Sequence, residues 1–195
     1  MQVKVKPCGD YQTNCYIIND IIIDPGVGAT KWIEKNIQIP KAILLTHGHF
    51  DHVWSVAELK EKYNIPVYIH KNDEFMLSED IFNMGVPKVK ADILIDKDKT
   101  IKIDDIEISF KHFPGHTPGC MTIEIGEFMF SGDFIFNGSI GRVDFPYSSP
   151  SDMKKSFYKF LNLNYNRIIL PGHGDKTTIK NEQKNIRNFW LNQFY

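Results

Sequence analysis

The sequence predicts an α+β fold in which outer helices cover inner sheets that are mixed or antiparallel. Short β-branched runs recur along the chain, and tight turns join many of them into hairpins. A doubly wound parallel sheet would instead need a crossover between neighbouring strands. With 42% hydrophobic residues among 195, the chain can bury a core without cross-links.

The first half of the chain begins with Val3 and Val5 alternating with lysines, which is typical of a half-buried strand. Two apolar segments follow and are joined at the turn pair Asn19 and Asp20. The segment 71–90 is polar and is predicted to be part helix and part loop. The other predicted strands are 15–18, 21–24, 42–46 and 66–70, and the predicted helices are 29–38 and 52–63.

In the second half, strand patterns return from Lys99, and a hairpin is predicted around Gly126. Ser149 and Pro150 are a typical N-cap and first helical residue. Residues 134–149 show no clear periodicity. The predicted strands are 101–103, 106–110, 121–125, 127–130 and 167–170, and the predicted helices are 150–163 and 178–192.

Composition excludes several classes of function. The formal net charge is −1, whereas nucleic-acid binders are usually basic. No apolar run is long enough for a membrane span, and the N-terminus lacks the apolar core of a signal peptide, so we expect a cytoplasmic protein. The three cysteines have no CxxC spacing, which argues against a disulfide framework or a zinc ribbon. The oligomeric state is left open.

A histidine cluster follows the predicted strand 42–46. His47, His49, Asp51 and His52 are ligand-type residues within six positions, at a turn that opens a helix. His47 and His49 project the same way if the turn is extended. Four ligand-type side chains so close together in the sequence are more than we expect one segment to contribute to a single tetrahedral site. The cluster therefore predicts two adjacent metals.

Three more segments offer ligands. His116, Asp133 and His173 each lie beside short strand patterns and are flanked by glycine or proline. Glycine lets the backbone turn sharply, and loops at strand ends commonly carry sites. His70 and His112 lack such surroundings, so we interpret them as structural or exposed, and Cys120 as a small packed residue.

This pattern of HxHxDH, a distant His, a distant Asp and a final His resembles the metallo-β-lactamase fold superfamily over nearly the whole chain. The stretches 137–144 and 171–174 resemble its glyoxalase II-like (hydroxyacylglutathione hydrolase-like) branch in particular. The resemblance implies a four-layer αββα sandwich with the metals at one edge of two mixed sheets. Residues 1–195 are expected to form a single metallo-hydrolase domain, without the C-terminal helical substrate domain of glyoxalase II.

The resemblance also implies the division of ligands. His47, His49 and His116 would bind one metal, Asp51, His52 and His173 the other, and Asp133 would bridge both. The expected cofactors are two divalent ions, with Zn²⁺ first and Fe or Mn as alternatives. Asp51 and Asp133 are the expected catalytic carboxylates, and Asp24 is a candidate partner for a ligand histidine.

The activity implied is hydrolysis of a small-molecule thioester of the hydroxyacylglutathione type, by a hydroxide bridging the metals. Arg142 is a candidate substrate contact, although it could instead pair with Asp144. The alternative is a persulfide dioxygenase of the same fold, in which one iron is held by His47, His116 and Asp133. A β-lactamase is disfavoured because a prominent class of those enzymes has Cys at the position of Asp133.

Overall fold

The computed structural model describes residues 1–193, and its elements are an α+β mixture as predicted. The strands are β1 (Val3–Cys8), β2 (Thr13–Ile18), β3 (Ile21–Ile23), β4 (Ala42–Leu44), β5 (Val67–His70), β6 (Ile93–Ile95), β7 (Lys99–Ile103), β8 (Ile106–His112), β9 (Met121–Ile125), β10 (Phe128–Gly132), β11 (Ile135–Phe136), β12 (Ser139–Ile140), β13 (Ile168–Pro171) and β14 (Thr177–Thr178). The helices are α1 (Thr30–Asn36), α2 (Phe50–Val53), α3 (Val56–Tyr63), α4 (Glu74–Ser78), α5 (Pro150–Leu161) and α6 (Ile179–Asn188), with 3-10 turns at Lys71–Asp73 and Trp190–Gln193.

The strands form two large mixed sheets, which confirms the predicted fold class. The first sheet has the order β1-β2-β3-β4-β5-β6, antiparallel as far as β3 and parallel beyond it. The second has the order β14-β13-β10-β9-β8-β7, with one parallel pair between β10 and β13. A small hairpin of β11 and β12 stands apart from both.

The layers follow from the alternation of side chains along the strands. In β3, Ile21 and Ile23 pack into the core between the two sheets, whereas Ile22 packs into a second core that includes residues of α1 and α3. In β10, Phe130 joins the core between the sheets and Met129 joins a third core with α5 and α6. Helices therefore cover the outer face of each sheet, as in the expected αββα sandwich.

Several boundaries differ from the sequence prediction. The predicted helix 52–63 is two helices, because the Ser55 backbone N–H donates to the Pro25 carbonyl and its hydroxyl donates to the Gly26 carbonyl. The predicted helix 150–163 ends earlier, at Leu161, but Ser149 caps it by accepting from the Asp152 N–H at 3.2 Å, as expected. The last helix ends at Asn188 rather than residue 192, and β6, β11, β12 and β14 were not predicted.

Within residues 1–193, no helix combines the length and apolar character that crossing a bilayer requires.

Candidate metal centre

The seven predicted ligands meet at one edge of the two sheets. They come from five places in the chain, each at or just beyond the end of a strand or in the helix that follows it: the loop after β4, helix α2, the loop between β8 and β9, the residue after β10, and the loop after β13. The residues are His47, His49, Asp51, His52, His116, Asp133 and His173. All except His173 are buried.

His47, His49 and His116 form one group, in which one ligand atom from each lies within 4.8 Å of the others. Their rings are close, with centroids 4.9 Å apart for His47 and His49 and 4.5 Å for His49 and His116. Burial lowers the pKa of all three, for His49 to about 3. These imidazoles are therefore neutral at pH 7, which is the form that binds metals.

Asp51, His52 and His173 form the second group within the same 4.8 Å limit. Burial disfavours the charged forms, but attraction between the carboxylates and the histidines is stronger. It lowers the pKa of Asp51 to about 2 and raises that of His173 to about 9. The pKa of His52 is raised too, chiefly by Asp51 and Asp133 against the effect of burial. Asp51 and the nearby Asp133 carboxylate together balance the two histidines of raised pKa, and a cation could enter by displacing the histidine protons.

Asp133 lies between the two groups. Its Oδ1 is 3.3 Å from Nε2 of His52, and its Oδ2 is 3.4 Å from Nε2 of His173 and 3.5 Å from Nε2 of His116. Burial opposes ionisation, but His52 and His173 hold the pKa of Asp133 well below its usual range. One carboxylate therefore faces ligands of both groups, as a bridging residue must.

The donor atoms fit a pair of metal ions. His116 Nδ1 lies 2.8 Å from the Arg142 carbonyl and His173 Nδ1 lies 3.0 Å from the Tyr11 carbonyl, so each ring is oriented by one nitrogen. Nε2 of His47 and of His49 is buried without a hydrogen-bond partner. Nε2 of His52 and of His116 is also buried, and the Asp133 carboxylate approaches these two atoms only to 3.3 and 3.5 Å. Buried polar atoms rarely stay unpaired, so the convergence of these donor atoms fits the binding of a metal cation. Gly172 keeps the space open, since a Cβ there would collide with Asp133 and His52.

Asp24 orients the site from behind. It is close enough to His47 and His52 to form a third candidate group. Its Oδ1 accepts from the Thr46 N–H at 2.8 Å, and its Oδ2 accepts from the Thr46 hydroxyl at 2.6 Å and lies 3.0 Å from His52 Nδ1. Both oxygens are thus engaged, and Asp24 acts as the histidine partner expected from the sequence rather than as a ligand.

Asp73 is a residue that the sequence reasoning missed. It lies in the 3-10 turn after β5, is fully buried, and burial raises its pKa to about 6 against the effect of its hydrogen bonds. Its carboxylate accepts from the Thr117 hydroxyl and the Gly119 N–H, both at 2.6 Å, and from the Gly48 N–H at 3.1 Å. It therefore joins the loop of His47 and His49 to the loop of His116. Its position three residues after the predicted strand 66–70 was the available signal.

A cavity of about 410 Å³ opens above the ligands. His49, Asp51, His116, Asp133 and His173 lie at its base, and the remaining lining is mostly aromatic. The sequence reasoning singled out neither the phenylalanines of this wall nor Thr13, whose hydroxyl donates to Asp51 Oδ2 at 2.6 Å.

Arg142 lines the cavity but is paired with Asp144. Its Nε and terminal nitrogen donate to the two carboxylate oxygens at 2.9 and 2.7 Å, and both side chains are 64% exposed. His70 and His112 lie outside the ligand groups and stack on each other, and Cys120 is buried.

The chain belongs to the metallo-beta-lactamase superfamily, whose sequence profile matches residues 8–173. Together with the His and Asp groups described above, this membership defines a metal-dependent hydrolase.

Three individual proteins are similar to the chain over nearly its whole length. The chain is 34% identical over 204 residues to a protein named hydroxyacylglutathione hydrolase GloC from Haemophilus influenzae, covering 94% of this chain and 96% of the relative. It also resembles the crystal structure of the BLEG-1 B3 metallo-beta-lactamase, with a TM-score of 0.87, 32% identity, and 97% and 99% of the two chains covered. A third likeness is to TTHA1623 in a di-iron-bound form, with a TM-score of 0.79, 32% identity, and 93% and 98% covered.

Proposed function

We propose that this protein hydrolyses a thioester of the hydroxyacylglutathione type, using two divalent metal ions held by the seven clustered side chains. The observation that carries the proposal is the convergence of unpaired Nε2 atoms and the Asp133 carboxylate on one buried space. The relative named hydroxyacylglutathione hydrolase supports the choice of substrate, because it matches along nearly its whole length.

The chain's own residues divide the work between two positions. His47, His49 and His116 would hold one ion, and Asp51, His52 and His173 the other, with Asp133 shared between them. Two bound ions would supply Lewis acidity for a substrate carbonyl and would lower the pKa of water. We propose zinc as the first candidate, with iron or manganese as alternatives; the likeness to a di-iron protein keeps iron in contention.

Asp51 and Asp133 are the proposed catalytic carboxylates. Thr13 donates to Oδ2 of Asp51, the oxygen that also lies 3.4 Å from Nε2 of His173, and so fixes the carboxylate beside the second group. The Asp51 carboxylate is proposed to accept a proton from the attacking water. The aromatic wall of the cavity limits bulk water around the scissile bond. Arg142 is proposed to contact the substrate from the rim, where its ion pair with Asp144 must rearrange if it is to bind an anion.

The test combines metal analysis with a substrate panel. The purified chain should contain about two metal ions and should hydrolyse S-lactoylglutathione, and removal of metal by a chelator should abolish hydrolysis reversibly. The panel also contains glutathione persulfide and a β-lactam. A single tightly bound iron with oxygen consumption on the persulfide would establish the dioxygenase alternative, and faster turnover of the β-lactam would establish a lactamase.

A further inference from the structure

The cavity above the ligand groups is walled by aromatic rings. Tyr11, Phe50, Phe82, Phe136 and Phe145 line it, and Ile140 adds a further apolar surface. Of these, Tyr11 is exposed and the others are half-buried, so their ring faces and edges are available to a ligand. Apolar lining with a few polar groups at the base is typical of a site that recognises an apolar substituent.

Two of these rings lie against the ligands of the first group. The Phe82 centroid is 5.4 Å from that of His49, and the Phe145 centroid is 5.9 Å from His49 and 6.2 Å from His116. A substituent attached directly to a carbonyl at this group would therefore reach Phe82 and Phe145 first.

Charge in the cavity favours the same kind of ligand. Among the lining residues that the structure describes, Arg142 is the only lysine or arginine. Asp144 takes two of its donors, and its guanidinium carbon lies 4.3 Å from the centre of the Phe145 ring. With its charge compensated and one face covered, Arg142 extends the aromatic wall more than it attracts an anion.

We propose that the preferred substrate is a 2-hydroxyacyl thioester that carries an aromatic group on its acyl side, with Phe82 and Phe145 as specificity-determining residues. This inference rests on the proposed thioesterase function. A phenyl ring in place of a methyl group would bury additional apolar area and form edge or face contacts with the wall. Since Phe82 and Phe145 are half-buried and keep part of their surface free for a ligand, we expect kcat/KM to be about tenfold higher for the phenyl than for the methyl compound.

The test compares S-mandeloylglutathione with S-lactoylglutathione, which share the thiol and the hydroxyl and differ by phenyl against methyl. Rates are normalised to the alkaline hydrolysis of each compound, which removes the difference in intrinsic reactivity. The metal-loaded wild-type chain should show a mandeloyl-to-lactoyl ratio of kcat/KM of about ten. Phe82→Ala and Phe145→Ala should each lower that ratio about threefold or more.

Tyr158→Ala is the matched control, because it removes an exposed aromatic ring from α5 that does not line the cavity. Its ratio should equal that of the wild type. A second measurement uses only the wild-type chain: mandelate should inhibit at least about fivefold more tightly than lactate.

A wild-type ratio at or below one, with both thioesters hydrolysed, would overturn the acyl preference and leave the thioesterase function standing. If a chain holding two metals hydrolysed neither of the two compounds, both proposals would be overturned. Equal ratios in the wild type, Phe82→Ala and Phe145→Ala would remove these two residues from the inference.

Discussion

Where the Nδ1 atom of a histidine lies against a backbone carbonyl, that contact decides which ring nitrogen carries the hydrogen. A carbonyl oxygen can only accept, so the Nδ1 atoms of His116 and His173 carry the hydrogen toward Arg142 and Tyr11. In the neutral His116 ring, Nε2 then presents its lone pair to the space that the groups share, whereas His173, whose pKa is raised to about 9, must first release its Nε2 proton. The two carbonyls thus set the ring orientation in which Nε2 can bind a metal.

Asp133→Asn should have a larger effect than the loss of any one histidine, because Asp133 faces both ligand groups. The amide keeps the shape of the side chain but removes the negative charge, and its NH₂ cannot coordinate. We expect bound metal to fall from two ions to one or fewer per chain. Thioester hydrolysis should fall by about a hundredfold or more, since losing even a residue behind a ligand costs about 10–100-fold.

Elemental analysis of the purified variant and steady-state kinetics check this expectation. Asp98→Asn is the control, because Asp98 binds the His112 N–H and Lys159 away from the ligand groups. It should retain the metal content of the wild type. Two full equivalents of metal with normal activity in Asp133→Asn would contradict the bridging role.

At the scale of elements, the site depends on loops that are tied to one another. The loop after β4 and the loop between β8 and β9 belong to different sheets, and Asp73 accepts hydrogen bonds from both. It does so from a 3-10 turn that follows a third strand, β5. A single buried carboxylate therefore fixes the distance between His47 and His49 on one side and His116 on the other.

Asp73→Asn should loosen that connection. The amide nitrogen would place a donor against one of the donors at Gly48, Thr117 or Gly119, which costs about 1–3 kcal/mol of unfolding free energy. We further expect the ion at His47, His49 and His116 to bind about tenfold more weakly. Competition with a chromophoric chelator measures this binding, and chemical denaturation measures the stability.

Asp92→Asn is the matched control for stability. It also changes a carboxylate that accepts from a backbone N–H, here Val67, and from Lys60, but it lies away from the metal loops. Weaker metal binding specific to Asp73→Asn would separate positioning from a general loss of stability. Wild-type metal affinity in Asp73→Asn would contradict the positioning role.

Elements with strong local patterns were predictable, and weakly patterned ones were not. The hairpin of β9 and β10 and the cap at Ser149 follow from residues within a few positions of each other. Strand β6 has only three residues and is defined by pairing with the distant β5. Strands β11 and β12 pair with each other across a short turn, but with two residues each they are too short to show an alternation. The same holds for the site: the HxHxDH spacing is visible locally, whereas Asp73 and Phe82 reach it only through tertiary packing.

At the scale of the whole molecule, His70 and His112 connect the two sheets outside the ligand groups. His70 ends β5 in the first sheet and His112 ends β8 in the second. Their rings stack with centroids 3.9 Å apart and planes 9° apart. Burial lowers the pKa of both, that of His70 to about 4, with the His112 ring as a further cause. The interface between the sheets therefore depends on uncharged histidine.

This arrangement predicts acid sensitivity of a definite sign. In the unfolded chain His70 takes up a proton near its ordinary pKa of about 6.5, whereas in the fold it does so only near 4. The neutral His70 therefore stabilises the fold fully above about pH 6.5, and this stabilisation is lost as the pH falls toward 4. The loss in the free energy of unfolding is on the order of 2 kcal/mol at pH 5.

His70→Phe tests this sign, because phenylalanine keeps a ring against His112 but cannot be protonated. In chelator-treated protein, Tm should fall in both proteins when the pH is lowered from 7 to 5. The fall should be about 4–8 °C smaller in the variant than in the wild type. The ligand histidines titrate in both proteins, so the difference between the two curves reports on His70 and its interaction with His112. The variant also loses the hydrogen bond from the Asn72 N–H, which lowers Tm equally at both pH values. Parallel curves would show that protonation of His70 does not weaken the contact between the sheets.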